Sequence, residues 1–270
     1  MQVVRAAAGS AYMAAETLTA VRSIVRQSQD IVATRTYRPP CDVCVECDVR
    51  KQAVCAALDD SELGALQAIM TSTKLETHRT LVDQGQPRNR VYTLTSGMLR
   101  LYTMLPDGRR QITAFLLPGD YLGLGDEDVH DQTAEAVVDC SLCGFTVGEM
   151  EKLMDRYPRL RQRLHQMTRI ALRQARDSQM ILGRLAPVEK VASFLLVLSA
   201  RAAEHGGALN PVHLPMTRTD IADYLGLTIE TVSRSFTKLR VQGLIRLPDA
   251  HQVDIVDRRA LTAVAGIEAR

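Results

Sequence analysis

Residues 217–244 read TRTDIADYLGLTIETVSRSFTKLRVQGL, and their periodicity predicts two short helices joined by a tight turn. Thr217 is placed to cap the first helix, with Asp220 three residues on completing a capping-box-like pair. Ile221, Ala222 and Leu225 supply its buried side. Gly226 falls where the helix should stop, because glycine takes the left-handed conformation cheaply. Thr228 caps a second helix expected to run to about Gln242. Ile229, Val232, Phe236 and Leu239 recur at three- and four-residue steps and form one apolar stripe. Glu230, Ser233 and Arg234 lie off that stripe at i, i+3 and i+4, so they share one exposed face near the helix N-terminus.

That arrangement suits a helix-turn-helix, whose second helix enters the DNA major groove and offers its N-terminal side chains to base edges. Arg234 can donate two hydrogen bonds to guanine, Glu230 can accept from a cytosine amino group, and Ser233 can do either. The same spacing also describes a helical hairpin with a solvated charged face. Net charge is only +2 over 270 residues, so a DNA reading rests on motif geometry and not on a basic patch. Hydrophobic residues make up 46% of the chain, enough for two compact domains. No run of eighteen apolar residues is present to span a membrane, and the Ala-rich N-terminus lacks the apolar core of a secretory signal. A cytoplasmic protein is expected. Its six cysteines then point to thiol or metal chemistry rather than to structural disulfides.

Four of these cysteines, Cys41, Cys44, Cys47 and Cys55, fall within fifteen residues, CDVCVECDVRKQAVC. Cys140 and Cys143 follow much later. Four thiolates suit a four-iron cluster or a structural zinc site, and spacing alone does not separate them. Residues 1–40 read as a net basic tail. Asp59 to Met70 reads as a short amphipathic helix with Leu63, Leu66 and Ile69 or Met70 inward. From Lys74 to Val147 short strands and turns alternate: a strand, a turn at Ser96-Gly97, a strand, a hairpin turn at Asp107-Gly108 and a turn at Pro118-Gly119. On such a strand Cys140 and Cys143 face opposite sides, and Cys140 reads as a small buried residue.

Val147 to Leu185 reads as one long helix. Leu160, Leu164, Met167, Ala171, Gln174, Ser178, Ile181 and Leu185 step alternately by four and three, the a/d pattern of a helix paired with a twin. Packing against the chain's own barrel is the other reading, expected only of the N-terminal part. Gln174 and Ser178 interrupt the seam, with Asp177 beside it, so the dimer should be marginal. Pro187 opens the next helix, which is buried and closes at Gly206-Gly207. A wing over Gly243 to Asp257 and a short helix over 258–270 complete the chain.

The run MTRTDIADYLGLTIETVSRSFTKL resembles the DNA-binding signature of the CRP/FNR superfamily of bacterial transcription regulators. ETVSR at Glu230 to Arg234 resembles the FNR branch, whose matching Glu, Ser and Arg read a TTGAT-type half-site. The resemblance implies an oxygen-labile [4Fe-4S] cluster held by Cys44, Cys47, Cys55 and Cys143, with Cys41 a spare. The gap from Cys47 to Cys55 is longer than in enterobacterial members. Asp177 matches an acidic residue whose charge discourages dimers in the cluster-free family member. The cAMP-binding members hold phosphate with an Arg-Ser pair. The matching stretch here, PGDYLGLGDEDVHDQTAEAV, has no Arg and carries Asp126-Glu127-Asp128, so no cyclic nucleotide is expected.

The implied organisation is α+β. It comprises an N-terminal extension over 1–40, a cluster-binding segment over 41–58, and a β jelly-roll sensory domain of cyclic-nucleotide-binding type over 59–147. A dimerisation helix over 148–186 and a winged helix-turn-helix domain over 187–270 follow. The implied function is an oxygen-responsive regulator, and not an enzyme. The cluster promotes dimerisation and binding to palindromic double-stranded DNA, oxygen disassembles it, and RNA polymerase is a further partner. A regulator of the same fold that senses by thiol oxidation or holds zinc is the alternative. An electron carrier is a distant one, since neither a nucleophile–base pair nor a nucleotide loop is present.

Overall fold

The computed structural model describes residues 44, 46–125 and 128–266. The expected tail over 1–40, the spare thiol Cys41, and Asp126 with Glu127 lie outside the described residues. From Glu46 the chain runs through turns into a 3₁₀ turn at Val54–Ala57. Helix α1 (Asp60–Ile69) follows, started by a capping box in which Asp59 and Glu62 bond each other's backbone. Leu63, Leu66 and Met70 point into the core as expected.

The next six strands are β1 (Thr71–Leu75), β2 (Thr80–Val82), β3 (Arg90–Met104), β4 (Arg110–Leu116), β5 (Tyr121–Leu122) and β6 (Thr133–Thr146). They form one antiparallel roll in the order β1-β6-β3-β4, with β2 on β6 and β5 on β3. The turns at Asp107-Gly108 and Pro118-Gly119 are present, with φ of +85° at Gly108 and +99° at Gly119. The expected turn at Ser96-Gly97 is not. β3 passes straight through it as one strand of 15 residues. Gly97, at φ +86°, instead bends the strand, and the register with β6 shifts on both sides of it. An extra residue in the ladder kinks a strand without reversing it.

The long helix is also two. α2 (Val147–Arg156) stops at Tyr157, and α3 (Pro158–Arg184) begins afresh. Proline lacks an N–H and clashes with the carbonyl four residues back, so Pro158 starts a helix and cannot continue one. The C-terminal domain contains α4 (Pro187–Glu204), α5 (Arg218–Leu225), α6 (Ile229–Val241) and α7 (Arg258–Ala265). A sheet of β7 (Val212–His213), β8 (Ile245–Arg246) and β9 (Gln252–Ile255) runs in the order β7-β9-β8. The wing is therefore three-stranded, one strand coming from before the helix-turn-helix. One apolar core joins this domain to the roll: Ile112, Phe115 and Leu117 pack with Phe194, Leu195 and Ile221.

The kink yields a paired stability prediction. A Cβ at Gly97 would lie 2.3 Å from the Asp139 carbonyl oxygen, so Gly97→Ala should lower stability by ~1–3 kcal/mol. Gly64, on the exposed face of α1, has nothing within 4 Å, so Gly64→Ala should raise stability by ~1 kcal/mol. Urea midpoints measured for both variants check the opposite signs.

Candidate nucleic-acid interface and cysteine centre

The helix-turn-helix forms as its local chemistry dictates. Thr217 Oγ1 accepts from the Asp220 amide at 3.1 Å, and Asp220 Oδ2 accepts from the Thr217 amide at 3.0 Å. Gly226 ends α5 in the left-handed region at φ 61°. Thr228 Oγ1 caps α6 by accepting from the Thr231 amide at 3.2 Å. Val232, Phe236 and Leu239 are buried, but Ile229 is 44% exposed. The stripe therefore begins one turn later than its spacing suggests. Thr228, Ile229 and Glu230 are all exposed, so the tip of α6 stands clear of the core, as a groove-entering tip must.

Glu230, Ser233 and Arg234 are exposed on α6. Arg234 donates to Thr231 Oγ1 at 3.2 Å, which steadies its stem. Bonds from its own backbone amide and from Thr228, with Arg234 nearby, hold the Glu230 carboxyl below its ordinary range. It is therefore an ionised acceptor, the form a cytosine amino group needs. Arg218, which the spacing argument passed over, lies 3.5 Å above the Phe236 ring centroid. Burial pulls its guanidinium below the usual arginine range. Its place at the first position of α5 was the available signal.

The cysteine centre lies at the other end of the roll. Cys44, Cys55 and Cys143 border one apolar cluster with Val54, Leu58, Phe145 and Leu160. Burial pushes the Cys55 thiol up to about 11, helped by Cys47 and Cys44. Burial pushes Cys143 up to about 12, helped by Cys44, Cys47 and Cys55. Cys44 is raised by burial and by Cys47. Cys143, which comes from β6, thus lies within electrostatic reach of Cys44, Cys47 and Cys55. Among the described residues no three of the His, Cys, Asp and Glu side chains converge as metal ligands, so the four are neighbours without a finished cage. As donors they fit a metal centre. Their thiolates repel one another in a poorly solvated place, and a bound cation would offset that. Cys140 faces a different cluster with Leu94 and Leu142, its Sγ 3.3 Å from the Met98 carbonyl oxygen.

The segment between Cys47 and Cys55 meets α3 and lies beside the C-terminal domain. Arg163 of α3 donates to the carbonyls of Gln52 and Ala53. A Cβ on Gly119 would lie 3.0 Å from Gln52 Cβ and 3.0 Å from His205 Nδ1 of the C-terminal domain. The seam residues of α3 divide accordingly. Leu160, Leu164 and Met167 pack on the cysteine-side cluster. Ile181 and Leu185 pack in the C-terminal domain's core, and Ser178 Oγ lies 3.4 Å from the Tyr224 hydroxyl. Ala171 is half-buried, and Gln174 and Asp177 are exposed. Packing on the chain itself was expected only of the N-terminal part, yet it takes in the C-terminal end too. Heptad arithmetic finds an apolar edge without telling which surface covers it. Ile170, Leu172, Met180 and Leu182 remain exposed along α3.

A cavity of about 390 Å³ lies between β4, the β5 region and α3, lined by Thr113, Leu116, Tyr121, Ala171 and Ser178 among others. Arg88 and Arg201 also border it, which the reading of 118–137 alone missed. Both are engaged, Arg88 with the Gly123 carbonyl at 3.2 Å and Arg201 with the Phe115 carbonyl at 2.8 Å.

Residues 189–264 match the Crp-like helix-turn-helix domain, and residues 72–157 match the cyclic nucleotide-binding domain. The chain is similar to the nitrogen fixation regulation protein FixK of Bradyrhizobium diazoefficiens, with 41% identity over 204 residues, 76% of this chain and 86% of that protein. It is similar to the transcriptional activator protein FnrL of Cereibacter sphaeroides, with 35% identity over 228 residues, 83% of this chain and 92% of that protein. The solved structure of FixK2 from Bradyrhizobium japonicum superposes with a TM-score of 0.70 at 36% identity, covering 74% of this chain and 100% of that one.

The raised thiols give a reactivity prediction for metal-free, reduced protein. With Cys55 held at about 11 against an ordinary 9.0, its thiolate fraction at pH 8 should be about a hundredfold below that of a free cysteine. The neutral form is the favoured one, so alkylation should climb roughly tenfold per pH unit until pH approaches that value. Peptide mass spectrometry after brief alkylation at several pH values reads this directly. Rates at Cys55 equal to those of a solvent-exposed thiol would contradict it.

Proposed function

The chain belongs to the CRP/FNR family of bacterial transcription regulators, and on that premise we propose that it is an oxygen-responsive DNA-binding activator governed by a thiolate-held iron–sulfur centre. The observation that carries this reading is that Cys44, Cys55 and Cys143, from segments far apart in sequence, border one apolar patch, with Cys47 within electrostatic reach of Cys143. Bound there, a [4Fe-4S] cluster would supply an oxygen-labile positive core for four thiolates. The chain's own residues do the rest. The Cys47 to Cys55 turns are tied to α3 through Arg163 and through the apolar cluster with Leu160, so a change in that segment's position reaches the dimerisation helix directly. Two copies paired along α3 present two α6 helices to a palindrome, with Glu230, Ser233 and Arg234 reading each half-site. The acidic stretch that includes Asp128 repels phosphate, and both arginines at the roll cavity already have partners. That supports a roll that serves the cysteine centre and takes no cyclic nucleotide. RNA polymerase is the expected partner at the promoter, and the cytoplasm the expected compartment. Among the described residues no helix is long and apolar enough to cross a membrane.

Zinc is the second reading, because the same four sulfurs suit it. Anaerobically purified protein should be brown, with about four iron and four sulfide per chain for a four-iron cluster. Colourless protein with stoichiometric zinc would replace the cluster with the structural metal. Cys143→Ser should abolish the colour, and Cys140→Ser should not. Arg234→Ala should remove preference for the half-site by about 1–3 kcal/mol. Titration of matched and mismatched duplexes separates that outcome from an equal loss on every sequence, which would make Arg234 a phosphate contact.

A further inference from the structure

The C-terminal domain hangs from α3 by two residues, Leu185 and Ala186, both extended. A connection so short is a pivot, and what stops rotation about it must lie elsewhere. Two ionic clasps do so. In the first, Arg100 Nη1 of β3 donates to Asp220 Oδ1 at 3.0 Å. Arg110 of β4 donates from Nη2 to the same oxygen at 2.7 Å and from Nε to Asp223 Oδ2 at 2.9 Å. Gln111 adds a bond to the Asp223 carbonyl at 2.7 Å. Arg100 is itself fixed on the roll by Glu135. In the second clasp Arg201 of α4 pairs with Asp120 of the β4–β5 turn, and His205 stands 3.7 Å from the same carboxylate.

The partners of the first clasp sit on α5, the helix that α6 is built on. Asp220 is buried, with 2% of its side chain exposed, and Arg100 has 8%. Ion pairs this dry contribute little net stability, because lost hydration offsets their attraction, but they hold directional registry that apolar contacts do not. The adjoining Phe115, Phe194 and Tyr224 rings, with centroids 5.4 to 6.3 Å apart, supply adhesion. The clasped pose leaves the tip of α6 exposed, so the groove-reading edge is open while the domain is held.

We propose that Arg100, Arg110, Asp220 and Asp223 are positioning residues that fix the angle of the reading helix to α3 and thereby set the half-site spacing the dimer accepts. This rests on the reading above that two copies bind a palindrome. Half-sites one helical turn apart demand a fixed separation of the two helices. A domain free to swing about Leu185 would meet several spacings with similar affinity.

The test uses full-length anaerobic protein and duplexes carrying two inverted TTGAT half-sites whose spacer is lengthened or shortened by one or two base pairs, plus one duplex with a single half-site. Wild type should prefer one spacing. Arg110→Glu should cut that preference by about tenfold and leave single half-site binding unchanged, since no base-reading residue is altered. Combining Arg110→Glu with Asp223→Arg should recover part of the preference, because the bond to Asp220 stays broken. A second readout needs no DNA. Trypsin cleavage after Arg184, beside the pivot, should be about tenfold faster in Arg110→Glu and fall back toward the wild-type rate in the double variant. If Arg110→Glu does not fold by circular dichroism, Arg110→Gln replaces it with the same expected losses, and no rescue by Asp223→Arg is then expected. Unchanged spacing preference with unchanged cleavage overturns the positioning role. Equal loss on single and paired half-sites assigns Arg110 a merely structural part and overturns it as well. If wild type does not discriminate the half-site at all, the operator reading fails and the spacing role with it, while faster cleavage would still show a clasp.

Discussion

One carboxylate, Asp220, belongs to two structures at once. Oδ2 closes the capping box that starts the first helix of the helix-turn-helix, and Oδ1 receives the guanidinium groups of Arg100 and Arg110 from the roll. A buried carboxylate without partners would cost several kcal/mol. This one has a full set of donors, and those donors come from both domains. Folding the DNA-binding unit correctly and docking it correctly are therefore coupled at a single side chain. Around that point the shared apolar core and the aromatic trio supply adhesion, while the ionic contacts supply alignment.

The cysteine segment occupies an analogous position at the far end of α3. Its turns are short, their carbonyls accept from Arg163, and Gln52 is wedged beside Gly119 and His205. A shift of the segment therefore has nowhere to dissipate. It bears on α3 through the Arg163 guanidinium and the apolar cluster of Val54, Leu58 and Leu160, and on the DNA-binding domain through one crowded turn. Closely packed contacts of this kind pass a displacement on rather than absorbing it.

Much of this was legible in the sequence because it is local. The caps at Asp59, Thr217 and Thr228, the left-handed Gly226, the hairpin at Asp107-Gly108 and the exposed set Glu230, Ser233 and Arg234 each follow from spacing and residue type. The misreadings share another cause. Gly97 looked like a turn because glycine marks both turns and bulges, and only the partner strand decides between them. Val147 to Leu185 looked continuous because an apolar period runs across Pro158, whereas the backbone restarts there. Ile181 and Leu185, at the C-terminal end of the α3 seam, looked free of the chain's own core because periodicity does not say what does the covering. The clasp was invisible for the plainest reason: Arg110 and Asp223 are far apart in the chain, and nothing near either announces the other.

Cys140 and Cys143 lie three apart on β6, and an odd offset on an extended chain sends two side chains to opposite faces. The parity of that offset, more than the supply of sulfur, settles which thiol can ever meet the N-terminal three. Deleting one residue between them would make the offset even and bring both onto one face. The strand's phase thus acts as an address, and a cysteine added out of phase would be invisible to the centre however near it lay in sequence.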